Sequence, residues 1–195
     1  MKAVDKVREH LRILGVPRVL AMVDFKTHPA IVENSGLLKD YCRRPERNLF
    51  LNGPCGTGKT VTAVFIVGGY LLLRGGGSPE KVEAQPRYFN AEALYSRWVD
   101  HSREGTLTDF TTLISECGLL VLDDLGQGDI SDSHKRWLYA IVNRRLEAEL
   151  PIVATTNLSG KEFIAIFGEA IVSRLCSGIV VAMKGRDHRL GGSHA

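Results

Sequence analysis

Asn48-Leu49-Phe50-Leu51-Asn52-Gly53-Pro54-Cys55-Gly56-Thr57-Gly58-Lys59-Thr60 decides how the rest of the chain is read. An apolar run enters a glycine-rich loop in which Gly53 and Gly58 enclose four residues, and Lys59 and Thr60 follow. That spacing is a phosphate-binding loop. Glycines let backbone N–H groups turn inward around a polyphosphate, the lysine reaches its β- and γ-phosphates, and the hydroxyl ligates Mg²⁺. The loop opens an apolar helix whose free N–H groups and positive dipole end favour bound anions. A chance glycine turn would lack the strand before it and the helical pattern after it, and both are present. The expected ATP contacts are Gly53, Pro54, Cys55, Gly56, Thr57, Gly58, Lys59, Thr60 and Val61, with Thr60 also a metal ligand.

The 195 residues suit one α/β domain with a short tail. Hydrophobic residues at 44% and charged residues at 24% exclude a disordered or fibrous chain. A net charge of +3 permits contact with nucleic acid without requiring it. Cys42, Cys55, Cys117 and Cys176 lie too far apart for a zinc spacing and form no disulfide framework, which fits a reducing cytoplasm. Cys55 stands in the loop itself, either as a thiol activated by the helix N-terminus or as an inert small residue. The first ten residues alternate charges rather than leading into a signal core, and Val61 to Leu73 is shorter than the roughly 20 residues of a membrane span.

Upstream, Lys2 to Leu14 has apolar residues at helical spacing until Gly15-Val16-Pro17 breaks it. Arg18 to Pro29 carries turn and extended signals, with Phe25 expected against the nucleotide-binding core. Ile31 to Tyr41 predicts a helix ending in Arg43, Arg44 and Arg47, a solvated charge run or a nucleic-acid contact. Downstream of the first strand, Asn48 to Leu51, a helix runs from Lys59 to about Arg74, and Gly75-Gly76-Gly77-Ser78-Pro79 marks a loop. Arg87 to Phe89 reads as a strand. Asn90 caps a helix over Ala91 to about His101, on which Trp98 packs in the core or stacks on a base. Helices follow at Leu107 to Glu116, Ser131 to Leu150 and Lys161 to Cys176, with strands at Leu119 to Leu122, Ile152 to Ala154 and Gly178 to Met183. Alternating strands and helices predict a parallel sheet covered on both faces, with ligands at the carboxyl ends of its strands.

Two of those ends carry chemistry. Asp123, after four apolar residues, resembles a Walker B acid holding Mg²⁺ with Thr60. Asp124 is placed to orient or deprotonate an attacking water, which needs a carboxylate within hydrogen-bond reach. Asn157 ends the next strand as a neutral group able to align that water, and in this order of parts it resembles the sensor 1 position of AAA+ ATPases.

The resemblance narrows at Leu138 to Ser159, LYAIVNRRLEAELPIVATTNLS, and at Leu119 to Gly126, LLVLDDLG. With Leu14-Gly15-Val16-Pro17 and Phe25, these look like the DnaC/IstB branch of AAA+ proteins, the bacterial and phage helicase loaders and transposition helper ATPases. The resemblance implies a three-layer P-loop NTPase fold with the lid reduced or absent. It also implies an N-terminal helical lead-in over 1–47, a core over 48–184 and a basic tail over 185–195. Catalysis would use Asp124, Asn157 and Arg174, the last as an arginine finger reaching a neighbouring subunit's γ-phosphate; ATP and Mg²⁺ would be the cofactors. One of Arg144 and Arg145 would serve the subunit interface, or the two would form a salt-bridged surface pair. Gly185-Arg186-Asp187-His188-Arg189 resembles the family's closing Gly-x-Ser-Tyr-Arg and departs from it at Asp187 and His188. The implied protein is cytoplasmic, self-assembling with ATP, and acts on DNA, single-stranded ahead of duplex, with a replicative helicase or transposase as partner. The loaders' helicase-gripping N-terminal region would be missing, very short or on another chain. An IstB-like helper on duplex DNA and a small-molecule kinase are the alternatives; no Arg-rich lid segment supports the kinase.

Overall fold

A computed structural model describes residues 3–73, 85–128, 130–185 and 187. Five strands, β1 (Leu49–Asn52), β2 (Pro86–Asn90), β3 (Leu119–Asp123), β4 (Ile152–Thr156) and β5 (Ile179–Ala182), form one parallel sheet ordered β2-β3-β4-β1-β5. Every residue of β3 and β4 is buried, because helices cover both faces and neither can carry polar side chains at alternate positions.

The period-two alternation divides the core. Leu119 and Val121 of β3 join Leu49, Leu51 and Val153 beneath α5 (Lys59–Leu73), on which α1 (Ala3–Ile13), α3 (Pro29–Glu33) and α4 (Ser35–Arg43) pack. Leu120 and Leu122 point the other way, into a second core with Phe50 and Ala154. Side chains of α6 (Ala91–Glu104), α7 (Leu107–Glu116), α8 (Asp132–Glu147), α9 (Gly160–Phe167) and α10 (Glu169–Leu175) complete that core. Phe25 sits edge-on to Phe65 of α5 with centroids 5.6 Å apart, as expected. Trp98 is half-buried among the rings of Tyr95, His134 and Trp137, the core-packing reading of that residue. Among the described residues no helix is long and apolar enough to cross a membrane.

Three expected elements are divided differently. Arg18 to Pro29 begins with a helical turn, α2 (Arg18–Ala21), closed by Met22 N–H on Arg18 O at 3.1 Å. The helix expected over Ile31 to Tyr41 is α3 and α4, parted at Asn34, whose Nδ2 donates to Ala30 O at 2.9 Å and so takes a helical carbonyl. The helix expected over Lys161 to Cys176 is α9 and α10, parted at Gly168, whose φ of 78° stops α9. The loop 75–79 lies outside the described residues, as do Arg186, His188 and Arg189.

Candidate nucleotide site

β1 lies between β4 and β5, and β3 borders β4 on its other side, so residues after β1, β3 and β4 meet at one edge of the sheet. After β1 the chain turns through Gly53, φ 152°, where a Cβ would collide with the carbonyl oxygen of Met183. Gly56, φ 80°, takes a left-handed backbone that favours glycine, with the Asp187 carboxylate beside it. Thr57 Oγ1 donates to Pro54 O at 2.9 Å and braces the loop from within. Lys59, only 5% exposed, opens α5 and donates from Nζ to Gly53 O at 2.8 Å and Pro54 O at 2.7 Å. Cys55 is exposed.

Asp123 ends β3 almost fully buried, at 3% exposure. Thr155 Oγ1 donates to one carboxylate oxygen at 2.6 Å and Tyr88 Oη to the other at 2.7 Å. Burial pushes the carboxyl pKa up, against the pull of hydrogen bonds from Thr155, Tyr88 and Thr60; the charge of Asp124 adds to the rise. All three donors are neutral hydroxyls. The Tyr88 phenol is held far above its usual range by burial and by Asp123, so it remains a donor.

Asp124 takes a left-handed backbone, φ 61°, uncommon outside glycine, asparagine and aspartate. Its N–H donates to Thr155 Oγ1 at 2.8 Å, and its Oδ1 accepts from Asn157 Nδ2. Leu125 N–H donates to Thr155 O at 2.8 Å, and Thr156 Oγ1 donates to Leu125 O at 2.7 Å. The acidic turn is thus stitched to the end of β4 by two buried threonines, which fixes where both carboxylates stand.

A cavity of about 450 Å³ opens here, with Gly56, Gly58, Lys59, Thr60, Asp124 and Asn157 on its wall. Val61 also lines it. Asp123 is not on the wall; its hydrogen bond with Thr60 connects it to the cavity. The opposite side is closed by Pro17, Val19, Leu20 and His28. Sequence reasoning missed these four, together with Tyr88, Thr155 and Thr156. The apolar residues beside Pro17 in a stretch read as turn were the available signal for the first group; nothing in the sequence marked the hydroxyls.

Arg174 stands elsewhere. Its backbone carbonyl accepts from Asn48 Nδ2 at 2.9 Å, at the start of β1 and so at the sheet edge opposite the loop. Its Nε donates to Asn143 Oδ1 at 2.9 Å, its Nη1 to Ala170 O at 3.0 Å, and its guanidinium lies 4.8 Å from the Tyr139 ring centre. The cavity is therefore built without it.

Arg145 corrects an expectation. Neither an interface group nor half of a surface pair, it is fully buried. Nη1 donates to Ile114 O at 3.0 Å and Cys117 O at 2.7 Å, and Nη2 donates to Pro151 O at 2.8 Å. It satisfies carbonyls left over at the end of α7 and ties them to the start of β4. Arg144 is the exposed one, paired with Glu116 at 2.5 Å. Replacing Arg145 by Met keeps the volume and strands those carbonyls, so unfolding in urea should show a loss of about 2–4 kcal/mol. Arg144→Met should stay within about 0.5 kcal/mol; equal effects would remove the assignment.

The parallel sheet in this order, with a phosphate-type loop after its fourth-placed strand and acids after the second, is the fold of AAA+ P-loop ATPases. The family model described as IstB-like ATP binding protein matches residues 6–190, and the chain belongs to that family. Its fold is shared with the DnaC helicase loader, at TM-score 0.69 and 21% identity over 81% of this chain and 92% of that one. DnaI gives 0.65 and 20% over 92% and 93%. AMPPCP-bound DnaA from Aquifex aeolicus gives 0.66 and 21% over 81% of this chain and 47% of its own. At these identities the likeness is one of fold. No curated protein matches the sequence.

Proposed function

We propose that this AAA+ ATP-binding protein hydrolyses ATP, assembles with further copies on DNA and there loads or remodels a replication partner. The observation that supports hydrolysis is the convergence of Lys59, Thr60, Asp123, Asp124 and Asn157 at one sheet edge.

In this reading the loop N–H groups and Lys59 bind the β- and γ-phosphates. Thr60 and Asp123 would hold Mg²⁺: a hydroxyl and a buried carboxylate with only neutral donors are hard oxygen ligands, and the ion would keep several waters. Bound there, it would supply charge neutralisation on the transferring phosphoryl group. Tyr88 and Thr155 fix both oxygens of Asp123, so that carboxylate cannot swing away. Asp124 accepts the proton of the attacking water through the oxygen that Asn157 leaves unused. Arg174 would neutralise γ-phosphate charge in a neighbouring copy. The lead-in over 1–47, the core over 48–184 and the tail over 185–195 form one domain in this reading, supported by α1, α3 and α4 sharing a core with the strands.

A transposition helper acting on duplex DNA is the second reading, favoured by the name of the matching family. Light scattering with Mg²⁺ and a non-hydrolysable ATP analogue, with and without single-stranded or duplex DNA, separates them. Growth in mass on single strands supports the loader reading, and growth on duplex alone supports the helper. A constant monomer mass with both removes the assembly proposal.

A further inference from the structure

A second concavity lies away from the nucleotide cavity, between α1, α4 and α5. Its volume is about 510 Å³, and its floor is made by Val7, Leu11, Phe25 and Phe65, with Gly68 and Gly69 flattening the α5 surface. Val4, Leu72 and Leu73 stand at its margin with 54%, 54% and 59% of their surface exposed, more than scattered surface residues require.

The rim is predominantly basic. Arg8, Lys26, Lys39 and Arg43 surround the apolar floor, against one carboxylate, Asp24. Asp24 is already engaged, accepting from Lys26 N at 3.1 Å and Thr27 Oγ1 at 3.2 Å. Arg43 is paired with Asp40 at 3.3 Å. Arg8, Lys26 and Lys39 have no ion pair among the described residues. An apolar trough bounded by three helices suits a fourth helix laid along it, with anchors at i, i+3 or i+4 and i+7.

We infer that this groove takes an amphipathic helix of a partner protein whose apolar stripe is flanked by Asp and Glu. Charge complementarity selects that occupant: acidic flanks would meet the unpaired cations, whereas like charges across an interface cost affinity. A second copy fits less well, because the chain is itself net positive at +3. The segment between Pro17 and His28 walls the nucleotide cavity with Val19 and Leu20 and the groove with Val23 and Phe25, so the two sites share one stretch of chain.

The test is a peptide-display selection on the full chain without nucleotide. The library holds helices of about four turns with a fixed apolar stripe and flanks randomised among Asp, Glu, Lys, Arg and Ser. Enriched peptides should carry acidic flanks and bind Leu72→Glu about tenfold or more weakly. The double reversal Arg8→Glu with Lys39→Glu should turn the enriched flanks basic; thermal melts would confirm that these variants fold. Absence of enrichment, flanks without charge bias, or binding unchanged by Leu72→Glu overturns the proposal. So does a nucleotide-free dimer that Leu72→Glu converts to monomer, since the groove would then hold a second copy. No readout depends on hydrolysis, so failure here is distinguishable from failure of the ATPase reading.

Discussion

Lys59→Met should bind ATP too weakly to detect and lose turnover by about 10²- to 10³-fold or more, the effect of deleting one donor aimed at developing charge. The ammonium is nearly buried and held by two loop carbonyls, so it is oriented before any phosphate arrives. Met preserves the stem packed at the start of α5 and removes only the charge, whereas Lys59→Ala also empties the volume. Both variants should lose activity, and only Ala should lower the melting temperature appreciably. Isothermal titration with ATP and a phosphate-release assay measure the two effects; turnover undiminished in Lys59→Met would reject the site.

The parts of this site that could be read from sequence are those whose identity is dictated by backbone geometry. Gly53 admits no Cβ against Met183, and the loop spacing announces itself. β3 was legible because a strand buried on both faces must be apolar throughout, and it stopped where the carboxylates began. Tyr88 was not. It lies on β2 at the edge of the sheet, and only the pairing of β2 with β3 brings its hydroxyl to Asp123. Thr155 and Thr156 read as β-branched strand residues, which they are, while their hydroxyls organise the acidic turn 31 residues earlier in the chain. The division at Gly168 was hidden because one glycine within a helical pattern is tolerated often enough to pass as interior. Arg145 misled for the opposite reason: arginine is seldom fully buried, and its carbonyl partners lie on two other elements that no local pattern connects.

Mixing Arg174→Ala subunits with Asp124→Asn subunits should restore activity that neither possesses alone. Asp124 works at the cavity of its own chain, where Asn157 donates to it. Arg174 lies at the far edge of the sheet, seated on Tyr139 and Asn143, with Nη2 unengaged among the described residues. It stands away from its own cavity, so in the proposed assembly it would serve a neighbour's phosphates. Either single variant should fall steeply, the arginine loss by about 10³- to 10⁵-fold where such fingers have been measured. In an equal mixture half of the subunits keep Asp124 and half of their neighbours keep Arg174, so about a quarter of the interfaces carry both in working order. Recovery toward that fraction of native turnover, rising and falling with the mixing ratio, is the expected result. Mixed assemblies demonstrated by mass, yet as inactive as either parent, would show that Arg174 acts within its own chain or not at all.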